Sequence, residues 1–265
     1  VGIVANGGSI NIQGTRDQPV ILESSGNSGN KNYWQGIVVL KSNQPSHWTY
    51  TSIKNTKGIK HMNWVVSAGV TFYESDAYLN HVSFSGNNSE DALNIVRSKF
   101  DLKNVTIKNT ISDAFDSDFS KGLVENGMFE NIGSLGGGDG IDVSGSEVVV
   151  TRAHFKNISD KALSVGEGSL LKVNGMNIEN VSIGAASKDG SRLVISGAKF
   201  SGIKKVGLMV YIKKKEYGPA EIIAESLVFD STETKTIAQK GSKIIIDGME
   251  IPSSDLDVEA LYASK

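Results

Sequence analysis

The sequence predicts an all-β chain, a right-handed parallel β-helix solenoid. Three observations predict it: strand-like segments that recur every 22 to 26 residues, a second register that recurs with the same insertions, and columns of like polar residues at the turns. Five segments align on a small residue, an apolar residue and a short polar one: Asp91-Ala92-Leu93-Asn94, Asp113-Ala114-Phe115-Asp116, Asp139-Gly140-Ile141-Asp142, Lys161-Ala162-Leu163-Ser164 and Gly184-Ala185-Ala186-Ser187. A serine follows each, at Ser98, Ser120, Ser146, Ser169 and Ser191. These lie 22, 26, 23 and 22 residues apart, and Ser75 extends the column backwards by 23.

The second register consists of Ile107-Lys108-Asn109, Phe129-Glu130-Asn131, Phe155-Lys156-Asn157 and Ile178-Glu179-Asn180, spaced 22, 26 and 23. Each unit holds two or three short stretches rich in Val, Ile, Phe and Thr, whereas helical repeats need amphipathic runs of about 10 residues or more. A stacked coil buries one face of each strand in its own interior and pairs its backbone with the coils above and below. The Asn column then reads as an amide ladder at a buried turn. Alternation places Leu93, Phe115, Ile141, Leu163 and Leu208 inward, with Ile95, Val143, Val165 and Val210 two positions on. Outward fall Asn94, Asp116, Asp142, Ser164 and Ser187, then Asp118, Ser144, Gly166 and Asp189. Ser117 and Lys188 land on the inward column, so a bulge or register shift is expected near them. Dividing length by period gives about ten coils.

Residues 1–75 read as less regular early coils, with a Gly/Asn/Ser loop at 27–32 and a strand restarting at 34–39. No linker divides the chain. It reads as a parallel β-helix over 1–251 and a C-terminal tail or cap over 252–265. It opens as if already inside a strand, which suggests a processed protein or a segment of a longer polypeptide or surface assembly. A net charge of −2 gives no reason to expect a nucleic-acid partner. No run approaches the ~18 apolar residues of a membrane insertion. The absence of Cys removes disulfides, thiolate metal sites and a cysteine nucleophile.

The chemistry concentrates on Asp116, Asp118 and Asp142, all outward on one sheet. Neighbouring strands lie about 4.8 Å apart and residues i and i+2 about 6.5–7 Å apart. Carboxylates about 5 Å apart repel by roughly 3 kcal/mol at an effective dielectric of about 20. On a rigid scaffold, either one is protonated or a cation bridges them. Calcium suits the arrangement because it accepts several carboxylate and carbonyl oxygens in a tolerant geometry. Asp139, Asn94 and Asp113 are placed to complete its shell. A bound cation would neutralise a uronate carboxylate and acidify the adjacent C–H bond, with Lys161, Arg97 or Lys188 as base or as support for the enolate. On that reading Lys161 and Arg97 are the catalytic candidates, and Asn94, Asp118, Glu167 and Lys188 bind substrate. An uncharged sugar would instead be hydrolysed by the carboxylates themselves.

Plainer readings stand beside these. Asp is a favoured turn residue, so Asp91, Asp113 and Asp139 before each strand also read as turn chemistry repeated by the period. A Lys beside stacked acids reads as a salt-bridge partner. His47, His61, His81 and His154 are scattered without metal spacing. Trp34, Trp48 and Trp64 read as packing in the early coils or as sugar-stacking rings, and Lys213-Lys214-Lys215 as a solvated edge or an anion-binding patch.

In period and Asn ladder, over most of its length, the chain resembles the pectin-lyase-like superfamily of right-handed parallel β-helices. Its Glu90-Asp91-Ala92-Leu93-Asn94 and Gly138-Asp139-Gly140-Ile141-Asp142 stretches also look like solenoids of large secreted bacterial proteins, some beside kinase-like domains of the spore-coat type. The resemblance implies the fold but no single chemistry, because the fold hosts lyases, hydrolases, epimerases, phage tailspikes and passive surface proteins. Its polygalacturonase branch has Asp motifs on successive coils, matched here by Asp116/Asp118 and Asp139/Asp142. The Gly-His-Gly and Arg-Ile-Lys motifs that follow in that branch have no match, so its mechanism is not carried over. Two functions result. One is an exported bacterial β-helix, secreted or at the cell surface, that binds and modifies an acidic polysaccharide as a lyase or epimerase. The other is a non-catalytic structural or adhesive module of a larger surface protein.

Overall fold

Short strands rich in Val, Ile and Phe, too short to form a closed core alone, bury one face only by stacking on the next coil. The computed structural model, which describes residues 1–25, 32–61 and 63–263, has them stacked in parallel as a β-helix with three sheet faces. On the front sheet Val70–Tyr73 pairs with Asp91–Val96, then Asp113–Asp118, then Ile141–Ser144. On the second sheet Lys99–Lys103 pairs with Lys121–Glu125 and that with the start of Glu147–Gly166. On the third, Thr106–Lys108 pairs with Met128–Ile132. Glu147–Gly166 and Leu170–Lys188 each run through all three sheets.

Two antiparallel additions interrupt the stack. Ile59–His61 pairs with Trp64–Val66 as a hairpin, and Lys243–Ile246 pairs with Met249–Glu250. In the stretch expected to be tail or cap, Val258–Ala263 is helical. The loop expected at 27–32 lies, but for Asn32, outside the described residues.

All nine residues expected on the inward columns are fully buried, and the third sheet adds Phe129 stacked on Phe155 at 5.0 Å and Phe200 on Phe229 at 4.8 Å. The serine column is a continuous buried ladder. The backbone N–H groups of Ser75, Ser98, Ser120, Ser146 and Ser169 each donate to the hydroxyl of the next serine, at 2.7 to 3.1 Å.

Four expectations need correction. The Asn ladder forms, with Asn131, Asn157 and Asn180 each donating to the amide oxygen one coil back at 3.1, 2.9 and 2.7 Å, but it stands in solvent. Its residues sit in the left-handed region, φ 54° to 56°, which turns their side chains outward. Ser117 is inward and buried without a bulge, in register between Ile95 and Val143, its hydroxyl donating to that of Ser146 at 3.2 Å. The irregularity falls between Ile158 and Lys161 instead. Ser164 pairs with Ala186, so Ser187 is inward and Lys188 outward, one residue away from the expected alignment. Asp189, expected outward, is fully buried because it accepts the backbone N–H groups of Lys213 and Lys214, both at 2.6 Å.

If the serine ladder holds the register, Ser146→Ala strands the buried N–H of Ser120 and costs about 1–3 kcal/mol in denaturant unfolding. The solvated Asn131→Ala costs less. A larger loss at Asn131 than at Ser146 would contradict this ranking.

Candidate functional site

Pairing on the front sheet aligns Thr71, Asn94, Asp116, Asp142 and Ser164 in one outward column, and Val96, Asp118 and Ser144 in the next. The hairpin overhangs the first of these coils. It leaves the solenoid at Gly58, whose φ of 80° and close approach to the Val66 carbonyl (2.7 Å from an added Cβ) exclude a side chain. Hairpin and sheet enclose a cavity of about 670 Å³. Trp64, Val65 and Val66 line its wall, and Thr71, Tyr73, Asp91, Asn94, Asp116 and Asp118 are among the residues that line the rest. On the floor, Asn94 Nδ2 donates to Asp116 Oδ2 at 3.2 Å and to Asp118 Oδ2 at 3.1 Å, holding two carboxyls side by side. Thr71 Oγ1 and Asp142 Oδ1 are buried without a hydrogen-bond partner among the described residues.

Burial and crowding set the charges. Burial pushes the Asp116 carboxyl well above its ordinary range, and Asp91, Asp118, Asp142 and Asp113 add to the effect. Burial raises Asp91 well above that range too, with Asp113 next in effect. Asp118 is raised as well, first by burial, but the Asn94 amide and Arg97 oppose the rise.

The other expected residues are placed elsewhere. The Lys161 amine is buried, 3.2 Å from Asp139 and 2.6 Å from Asp160, so it lies within an ion-paired cluster and away from the cavity wall. Asp139 accepts the Lys161 backbone N–H at 2.9 Å, and Asp113 accepts that of Asp139 at 2.7 Å, which is turn chemistry repeated coil by coil. Arg97 stands at the following turn and donates to the Tyr73 hydroxyl at 3.1 Å. Glu167 is ion-paired to Lys214, and Lys188 Nζ donates to Ser164 Oγ at 2.7 Å. Trp48 and Trp34 pack in the early coils, donating to the carbonyls of Ile10 and Lys54, and Trp64 alone of the three lines the cavity. Among the described residues no group of three or more His, Cys, Asp or Glu is arranged to hold a metal ion. Of the hairpin wall only Trp64 was among the sequence candidates, and Val65, Val66, Thr71 and Tyr73 were not. The signal for the hairpin was the break in period between residues 54 and 70, with Gly58 at its start.

No family model and no curated protein matches the chain. Solved structures do. The gp42 tailspike of an Acinetobacter phage is 12% identical, with a TM-score of 0.39 over 97% of this chain and 48% of its own. The catalytic domain of a GH87 alpha-1,3-glucanase in complex with nigerose is 11% identical, with a TM-score of 0.34 over 97% and 63%. Tailspike protein 3 of bacteriophage CBA120 is 13% identical, with a TM-score of 0.31 over 96% and 52%. The chain spans between about half and under two thirds of these structures.

The buried acids make stability depend on pH. Burial, then the charge of Asp139, pushes the Asp113 carboxyl from 3.8 up to about 7. The folded state therefore holds a proton that the unfolded chain releases near 4. Asp113 contributes stability that is full below that pH and lost as pH rises through about 7. Asp91, Asp116, Asp118 and Asp139 shift in the same direction. The melting midpoint should fall from pH 4 to pH 7, and Asp113→Asn should flatten that fall. A midpoint that rises over this interval would contradict the assignment.

Proposed function

We propose that this chain binds an uncharged stretch of polysaccharide in the groove beneath the hairpin and hydrolyses a glycosidic bond there, with Asp116 as acid and Asp118 as base. The carrying observation is the single amide of Asn94 bridging two carboxyls on the floor of a roofed cavity. Asp116, desolvated and ringed by acids, keeps its proton for the leaving oxygen. Asp118, less buried than Asp116 and with its rise opposed by the Asn94 amide and Arg97, activates water. Trp64 and Tyr73 offer rings against which sugars pack. Lys161 acts in this account as the countercharge to Asp139 and Asp160. An uncharged substrate is favoured because the lining sets Lys41 against Glu90 and the base Asp118, and the acid Asp116 would be held from its proton-donating role by a uronate paired beside it.

The same reading makes the protein a member of the pectin-lyase-like group, exported by a bacterium to where polysaccharides lie and working within a longer polypeptide or surface assembly. Asp116→Asn and Asp118→Asn should each lower reducing-end release from the best-bound polysaccharide by about a hundredfold or more. Undiminished release by both variants would refute the acid–base pair.

A second reading has calcium bridging Asp116 and Asp142 and carrying an acidic polysaccharide onto this face, where a lyase or epimerase would act. The buried, unpartnered Asp142 Oδ1 favours it. It predicts a melting midpoint higher in calcium than in chelator, by an amount equivalent to about 2.7 kcal/mol at 100-fold the dissociation constant. Asp142→Asn should abolish that response. Equal midpoints for the parent would leave the uncharged reading alone.

A further inference from the structure

Beyond Asp118 the chain enters a turn whose residues stack from coil to coil in the left-handed region: Glu74 at φ 49°, Arg97 at 49°, Phe119 at 50°, Gly145 at 61° and Glu167 at 60°. The backbone N–H groups of Glu74, Arg97 and Phe119 each donate to the coil above it in sequence, at Val96, Asp118 and Ser144. Glycine is at home in this conformation, and a bulky side chain is poorly suited to it. Phe119 nevertheless occupies it, and its side chain gains little burial in return, since the residue is 53% exposed. A strained backbone holding an apolar ring in solvent points to a task other than packing.

The surroundings hold that ring in place. A Cβ on Gly145 would sit 2.6 Å from Phe119 Cδ1, so only glycine lets the ring lie across the next coil. The Arg97 guanidinium stands 5.3 Å from the Phe119 ring centre and 5.9 Å from that of Tyr73, to whose hydroxyl it also donates. Tyr73 lines the hairpin cavity. Arg97, Phe119 and Gly145 line a second, more open one of about 570 Å³, together with Asp76, Lys121 and Glu147. Tyr73, Arg97 and Phe119 thus form a ridge that joins the two grooves immediately past Asp118.

We propose that Phe119, backed by Gly145 and braced by Arg97, is a stacking platform for a pyranose ring. It would form a subsite that carries the polysaccharide from the hairpin groove into the second groove. The proposal rests on the polysaccharide reading above and deepens it. An aromatic face takes a sugar through a flat C–H surface, which gluco-configured rings with equatorial hydroxyls present. The remaining Arg97 N–H groups line the groove where those hydroxyls would lie, together with Asp76, which accepts the Lys99 backbone N–H at 2.7 Å, and the Lys121–Glu147 ion pair at 2.7 Å. The platform therefore selects an uncharged gluco-configured chain long enough to reach past the acid pair.

The test uses malto-, cello- and xylo-oligosaccharides of increasing length on an array, with the tightest binder carried into calorimetry. Phe119→Gly is the chosen variant because glycine tolerates a φ of 50°. Its melting midpoint should equal or exceed the parent's, while affinity for the longer oligosaccharides falls about tenfold. Phe119→Tyr should restore that affinity, and the shortest oligosaccharides should bind parent and variant alike. A parent that binds and a Phe119→Gly variant that binds equally well would overturn the platform and leave the acid pair standing. A fall in midpoint without loss of affinity would give the ring a packing role and overturn it too. Binding of no oligosaccharide by the parent would overturn the polysaccharide reading and the platform with it.

Discussion

In a parallel stack, a slip of one residue between coils turns every side chain on the slipped strand to the other face. Backbone pairing alone does not prevent this, because a slipped ladder makes the same backbone bonds. What distinguishes the native register here is a side chain inside the turn. Each buried serine hydroxyl accepts the backbone N–H of the serine one coil back, from Ser75 through to Ser191. A slip would leave those donors buried without acceptors, and a stranded buried group costs more than its hydrogen bond contributes. The solvated Asn ladder on another edge repeats with the same period, but water can replace each of its bonds.

With the register fixed, like residues pile into columns, and for acids this is costly. The fold handles its two acid columns differently. In the column of Asp91, Asp113 and Asp139 the latter two carboxyls accept a backbone N–H of the following coil, and the run ends at Lys161, whose amine lies against both Asp139 and Asp160. That column is structural, and its last member, Asp139, has a lysine countercharge within the protein. The column of Asn94, Asp116 and Asp142 has no such lysine. Asn94 supplies donors to one end, and Asp142 Oδ1 is left unpaired. Two columns built by the same period thus differ in what remains unsatisfied, and the hairpin cavity takes Asp91 from the first and Asn94 and Asp116 from the second.

The period, the inward residues and the outward acids were legible because they are properties of a repeat, in which each coil is read against its neighbours. The failures came where the repeat gives no comparison. Ser187 and Lys188 were placed one position wrong because the Gly184-Ala185-Ala186-Ser187 stretch offers two small residues on which to align, and only backbone pairing with Ser164 selects between them. The burial of the two polar ladders was assigned to asparagine and belongs to serine. A column of identical residues reports that coils are stacked, while the sign of φ at the turn decides which way its side chains point. The hairpin of Ile59–His61 and Trp64–Val66 was illegible as a wall because it is an insertion, visible in the sequence only as a lost beat.

That insertion also explains why the site lies where it does. From Val38 to Ile237 the central outward column of the front sheet runs Val38, Thr71, Asn94, Asp116, Asp142, Ser164, Ala186, Met209 and Ile237. It is apolar at both ends and polar in the middle. A face left wholly to solvent would have no reason for that order. Val38 is fully buried although it points away from the core. At the far end Ala186 and Met209 form a small cluster of their own with Val206 and Tyr211, covered by Leu256 and Val258 from the C-terminal segment. The hairpin reaches over the face near one end and the C-terminal segment over the other, so the polar stretch from Asn94 to Ser164 is the window between two covers. Acids inside such a window lose part of their solvent without losing access to a ligand, and that combination raises a carboxyl's pKa while keeping it available for proton transfer. The chemistry of the site is therefore a product of where the repeat was interrupted and where it was capped, as much as of the aspartates themselves.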